Sequence, residues 1–195
     1  MKVYYNHLDE NNADVIRGVG LGNFDGVHVG HRAIIKTLTE RCAQKGYTSM
    51  VYTFSNHPNN VLFVQKTLLI ISTESKEIIV KSLGVDELFF ADFDIEYAHM
   101  SPEMFVKNVI VDELKAKLVV VGYDYTFGCY GQGKATDLIK FGKKYNFEVV
   151  VVPAVTHMLC DKDGNDAEIT VSSTLLRQLI REGRVDQYKK LTESY

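Results

Sequence analysis

A parallel, doubly wound α/β sheet of five strands with helices on both faces follows from three features of this 195-residue chain. Short apolar runs read as buried strands, and stretches of helical periodicity alternate with them along the chain. The connections are crossovers of the kind that joins parallel strands. Glycine-rich and polar turns sit where the runs end, and sheets of this class bind ligands beyond the carboxyl ends of their strands.

The first run, Val15 to Leu21, closes in a turn with glycines at 20, 22, 26 and 30. From His31 onward Ile34, Ile35, Leu38 and Cys42 recur at helical spacing until Gly46 stops the helix. Ser49 to Phe54 is the second strand, feeding the polar loop Ser55 to Asn60. Ile78, Ile79 and Leu83 mark a helix over Glu74 to Leu83 before Gly84, and Glu87 to Phe90 is the third strand. Ser101-Pro102-Glu103 supplies an N-cap, a proline at the first helical position and an acid in the first turn, which predicts a helix to about Leu114. Leu118 to Val121, a helix over Asp137 to Tyr145, and Glu148 to Val152 closed by Pro153 complete a Rossmann-like pattern. Asp161-Lys162-Asp163-Gly164-Asn165 resembles a calcium loop but lacks its glycine and its final glutamate, so a hairpin turn is expected there. Ser172 or Ser173 caps a last helix over Leu175 to Arg181, ended by Gly183. With no repeat, low-complexity tract or linker, residues 1–195 are expected to form one domain.

Composition narrows the classes of function. The chain is 46% hydrophobic and 24% charged with a net charge of −3, and its Lys and Arg are scattered, so no stripe for nucleic acid is present. Met1 to Asn12 holds no apolar leader, and no run approaches the ~18 apolar residues of a membrane span. Three cysteines, Cys42, Cys129 and Cys160, have no metal spacing and cannot all pair. A cytoplasmic protein without nucleic-acid or membrane partners is expected, with Cys42 on the apolar face of its helix.

A strand-to-helix turn gathers free N–H groups at the positive end of the helix dipole and favours phosphate. His28 and His31 stand where that phosphate would lie, although such a pair can equally cap a helix, sit on the surface or form half of a metal site. Ser172-Ser173-Thr174 with Arg177 one turn later can hold polyphosphate oxygens, or be an ordinary cap and a surface arginine. Phe54, Tyr125 and Phe127 fall at strand ends, where they would line a slot for a planar ring or simply pack in the core. Asp124 would orient a ribose or a metal-bound water, or cap a turn. Gly128 to Ala135 nearly spells a phosphate-binding P-loop, but Ala135 replaces the hydroxyl that ligates Mg²⁺ and the loop does not directly follow its strand.

Gly-Asn-Phe-Asp-Gly-Val-His-Val-Gly-His at residues 22–31 resembles the His-x-Gly-His signature of the nucleotidylyltransferase superfamily. It is most similar to the FMN adenylyltransferase domain of prokaryotic FAD synthetases. Thr53-Phe54 with His57-Pro58, then Val121 to Tyr125 with Phe127-Gly128, then Val171 to Thr174 with Arg177, follow in the family's order. The resemblance implies transfer of AMP from ATP to FMN, with Mg²⁺ accompanying ATP. It implies His28, His31 and Arg177 as catalytic residues. Gly22, Asn23, Phe24, Asp25, Gly30, Asp124, Ser172, Ser173 and Thr174 would bind ATP, and Phe54, His57, Pro58, Tyr125, Phe127 and Gly128 would bind the flavin.

The chain departs from the family pattern at Asn56 and Asn59, at Thr126, and at Cys129-Tyr130, all on the acceptor side. Relatives usually continue into a riboflavin kinase domain; that domain is expected to be absent here, the chain being either a stand-alone transferase or a piece of a longer protein. Two other functions stay open at this stage: nucleotidyl transfer to another phosphorylated acceptor, and a flavin or nucleotide binding protein that transfers nothing.

Overall fold

A computed structural model of the chain describes residues 1–9, 15–64, 66–160 and 165–193. Strands β1 (Lys2–Tyr5), β2 (Arg17–Leu21) and β3 (Thr48–Phe54) are joined by α1 (Val29–Lys45) between the last two. Then come α2 (Asn59–Leu62), α3 (Thr73–Ser82), β4 (Glu87–Ala91), α4 (Ile95–His99) and α5 (Pro102–Met104), which runs into a π-helix over Phe105–Glu113. Strand β5 (Ala116–Gly122), the short pair β6 (Thr126–Phe127) and β7 (Gly133–Lys134), α6 (Ala135–Tyr145) and β8 (Glu148–Val152) follow. The chain closes with β9 (Thr156–Cys160), β10 (Asp166–Thr170), α7 (Ser173–Arg181) and α8 (Val185–Thr192).

The central sheet has six strands, in the order β1-β4-β3-β2-β5-β8, and every neighbouring pair is parallel. The expected doubly wound sheet is present with one strand more than the sequence predicts. The extra strand is β1, four residues on the sheet edge, too short to show a period. Side chains alternate between two cores: Val119 and Val121 pack with Val109, Ile110 and Leu138, while Leu118 and Val120 pack with Ile34, Leu38 and Val80. The π-helix and α6 therefore cover one face, and α1 and α3 the other.

Gly46 ends α1 in the left-handed conformation, with φ 68°, and Cys42 is buried beneath that helix as expected. Ser101 caps α5 by accepting from the Met104 N–H at 3.2 Å, so the expected helix to Leu114 forms, with its second part wound as π. On α3 the buried face is carried by Lys76 and Val80, whereas Ile78, counted in the apolar period, is 70% exposed. The expected turn at residues 161–164 lies outside the described residues, and β9 and β10 on either side of it pair antiparallel. A third, smaller core of Val29, Leu159, Val171, Leu176, Leu179 and Leu191 fixes α7 and α8 against the start of α1.

After α1 and α3 have carried the chain to one side of β2, the π-helix returns it to the other, where β5 pairs with β2. The crevice between the carboxyl ends of β2 and β5 is the switch point of the sheet. The glycine-flanked histidine turn opens into it.

Candidate active site

The turn between β2 and α1 is a strained piece of backbone. Phe24, Gly26 and Val27 have φ of 45°, 86° and 34°, and a β-branched residue at positive φ is a conformational outlier. A side chain at Gly26 would also meet the Leu176 Cδ2 methyl of α7 at 2.8 Å, and its φ of 86° is one that glycine adopts without strain. The turn is held from outside. Thr53 Oγ1 and Lys76 Nζ both donate to the Asn23 carbonyl at 2.9 Å.

His28 caps α1, its Nδ1 accepting from the His31 N–H at 3.3 Å. A ring nitrogen that accepts carries no proton, so neutral His28 holds its proton on Nε2, where it can donate to a ligand. The His28 and His31 rings stack with centroids 3.7 Å apart, and Phe24 meets His31 edge-on at 5.2 Å. Burial pushes the His28 pKa down to about 4. His31 lies well below its ordinary value, first through burial and then through the neighbouring His28 and Lys76. His31 Nδ1 is buried and has no hydrogen-bond partner among the described residues. An orphaned buried nitrogen beside a cleft is a place for a ligand oxygen to complete.

The cleft encloses about 500 Å³ and runs along the carboxyl ends of the strands. One end is lined by Gly22, Asn23, His28, Gly30, His31 and Asp124, and Ser172, Ser173 and Thr174 at the start of α7 line the same cleft. The two segments that the sequence suggests for phosphate thus face a single space. Ser172 caps α7, accepting from the Leu175 N–H at 3.2 Å, and Ser173 Oγ donates to the Asp25 carbonyl at 2.8 Å, which ties α7 to the histidine turn.

The other end is aromatic. Phe54, Tyr125 and Phe127 line it together with Pro58 and Gly128, as expected, and Tyr52, Phe93, Tyr97 and Phe105 join them. Phe54 meets Phe93 and Tyr97 edge-on at 5.2 and 5.3 Å, and the Tyr52 and Tyr97 hydroxyls are 3.2 Å apart. Burial raises the pKa of Tyr52, Tyr97 and Tyr125, so all three phenols stay neutral near pH 7.

Four expected site residues lie outside the cleft lining. Arg177 pairs with the buried Asp25 through a guanidinium–carboxylate contact and donates from Nε to the Leu68 carbonyl at 3.3 Å. It is a tether between α7 and the histidine turn. Asp25 also accepts from the Ile70 N–H at 2.9 Å, so its carboxylate faces protein. Phe24 is fully buried behind the turn, supporting His31. His57 is 7% exposed, its Nδ1 accepting from the Asn59 N–H at 3.2 Å, which makes it a loop brace. Spacing along the chain places these residues near the turn but cannot say which way they point.

Lys76, Phe93 and Tyr97 carry no motif. A lysine on the buried side of an otherwise amphipathic helix was the readable signal for the first, and the aromatic concentration from Phe89 to Tyr97 for the others. The segment resembling a P-loop is a small hairpin: Thr126 and Phe127 pair antiparallel with Lys134 and Gly133, which separates β5 from α6. Among the described residues no group of three or more His, Cys, Asp or Glu could hold a metal ion.

The sequence profile of the FAD synthetase family matches residues 10–163. A bifunctional riboflavin kinase/FMN adenylyltransferase of Listeria monocytogenes is 35% identical over 98% of this chain and 59% of its own length. The enzyme of the same name from Escherichia coli K12 is 29% identical over 82% of this chain and 49% of its own. The chain thus spans about half to three fifths of these curated relatives. The crystal structure of a macrolide-efflux protein from Streptococcus pneumoniae superimposes with a TM-score of 0.82 and 29% identity, over 100% of this chain and 62% of that one. Among the described residues here, no helix is long and apolar enough to cross a membrane.

Proposed function

The chain belongs to the FAD synthetase family, and from that premise we propose that its cleft transfers the AMP moiety of ATP to the phosphate of FMN, giving FAD and pyrophosphate. The observation that carries this reading is the sharing of one cleft by the histidine turn, the start of α7 and the aromatic slot. ATP and FMN are its small-molecule partners, handled within one nucleotidylyltransferase domain. Free Cys42, Cys129 and Cys160 suit a reducing compartment, and we assign the protein to the cytoplasm.

A phosphate oxygen of FMN attacks the α-phosphorus of ATP; the new P–O bond forms as the bond to the β-phosphate oxygen breaks, and pyrophosphate departs with that electron pair. No protein nucleophile takes part, so the protein contributes alignment and neutralisation of charge. His28 donates from Nε2 to a phosphate oxygen, and His31 completes its orphaned nitrogen on the same anion. The α1 cap keeps His28 neutral with its proton on Nε2, while bound polyphosphate raises the pKa of His31 and strengthens its hydrogen bond. Ser172, Ser173 and Thr174 hold the triphosphate from the start of α7, while Gly22, Asn23 and Gly30 let it lie close to the backbone. Phe54, Pro58, Tyr125, Phe127 and Gly128 enclose the isoalloxazine, joined by Phe93 and Tyr97.

Asp124 is the one carboxylate among the described residues lining the cleft. A single carboxylate and substrate phosphates suit Mg²⁺, which keeps few protein ligands, so Asp124 would hold the ion that arrives with ATP. When bound, that ion would supply neutralisation of the phosphate oxygens. The test is incubation of the chain with ATP, Mg²⁺ and FMN: equimolar FAD and pyrophosphate are expected. FAD formation that is absent with FMN but replaced by product from pantetheine phosphate, nicotinamide mononucleotide or glycerol phosphate would move the assignment to another acceptor.

A further inference from the structure

No lysine or arginine is among the described residues lining the cleft, although the proposed substrates bring a triphosphate and a phosphate monoester into it. The two histidines are neutral when the site is empty. The cation in direct contact with the wall stands behind it. Lys76 of α3 is 2% exposed, and its Nζ donates to the Asn23 carbonyl at 2.9 Å, to Thr53 Oγ1 at 3.1 Å and to the Phe54 carbonyl at 3.3 Å. Asn23 belongs to the phosphate end of the cleft and Phe54 to the aromatic end, so one ammonium joins the two halves. Its three donors meet three neutral acceptors, and among the described residues it makes no ion pair.

We propose that Lys76 is a positioning residue for adenylyl transfer, a fixed cation behind the wall that locks Asn23 to Phe54 and offsets the negative charge gathering in front of them. The proposal rests on the function given above. Bracing a turn does not require charge, and the neighbouring Asp25 is already paired with Arg177 and forms no ion pair with Lys76 among the described residues, so a buried ammonium here points to a further anion that arrives later. Asp25 of the histidine turn attracts Lys76, His31 of α1 and His57 of the loop after β3 face it as further bases, and the Phe90 ring of β4 lies 5.9 Å from its nitrogen. Burial outweighs Asp25 and brings the amine down to about 8. The ammonium is therefore mostly present near pH 7 and lost above that value.

The experiment compares the wild-type chain with Lys76→Met, which keeps length and removes charge. With both proteins folded by circular dichroism, the substitution is expected to lower kcat about 10²-fold, with KM for ATP and FMN changed less than about threefold. Because kcat/KM reports the free enzyme, wild type should show an alkaline decline near pH 8 that Lys76→Met lacks. A variant within about twofold of wild-type kcat, or the same decline in both proteins, overturns the proposal. Should the variant not fold, Lys76→Gln, which also removes the charge, is compared in its place: a kcat about 10²-fold below wild type upholds the proposal, and a kcat within about twofold overturns it. A wild-type chain that makes no FAD overturns the activity itself, a different result from either of these.

Discussion

His28 accepts at one ring nitrogen and can donate only through the other, so its cap on α1 sets the direction of its remaining proton. Replacing His28 or His31 by alanine should lower FAD formation about 10²–10³-fold. Steady-state kinetics on folded variants checks this. The depressed pKa values also act on stability. Folded His28 resists protonation down to about 4, whereas the unfolded chain takes up the proton near 6.5, so stability is full above pH 6.5 and falls as pH drops toward 4. The loss attributable to His28 is about 3 kcal/mol at the acid end. Urea denaturation at pH 7 and pH 5 should show the decline, and His28→Gln should reduce it. The histidines were legible in the sequence because their glycine frame is local. The place of Phe93 and Tyr97 at the cleft, and of Lys76 behind its wall, follows from no local motif, since it arises only when β2, β3 and β4 are set side by side.

At the scale of elements, α7 matters through what holds it. The pair between Arg177 and Asp25, the Ser173 hydroxyl on the Asp25 carbonyl and Leu176 against Gly26 all join α7 to the histidine turn. Arg177→Met leaves the buried Asp25 carboxylate without its cation and should cost about 3 kcal/mol. Thermal denaturation measures that, and KM for ATP should rise as α7 drifts from the turn. Ser172→Ala removes the cap and should cost about 1 kcal/mol, with a smaller rise in KM for ATP; an unchanged KM would detach Ser172 from the nucleotide. Strong periods placed most helices and strands within a few residues, and β8 matched its expected limits of Glu148 and Val152. The edge strand β1 and the short helices α2, α4 and α8 escaped because four to eight residues carry too little period. For Arg177 a motif gives the spacing but not the carboxylate that its guanidinium meets in this structure.

Across the whole molecule, the third core and the Ser173–Asp25 hydrogen bond seat α7 beside the turn after β2, so that residues from 22–31 and 172–174, far apart in sequence, line one crevice. A parallel fold and its carboxyl-end site could be read from the alternation of elements, while the strand order, which makes the crevice, depends on long-range pairing that no local pattern records. On the proposed reading the aromatic end would hold a planar acceptor despite the uncharged Asn56, Asn59 and Thr126, with charge supplied by Lys76 behind the wall and by the ion that would accompany the nucleotide. The central claim is that both segments grip one triphosphate. A crystal structure of the chain with Mg²⁺, FMN and an ATP analogue bearing a methylene group between the α- and β-phosphates tests it most directly. The account predicts phosphate oxygens within hydrogen-bond reach of His28 Nε2 and of the amides at 172–174 together, with the flavin between Phe54 and Tyr125; a nucleotide bound elsewhere, or touching only one of those segments, would contradict it.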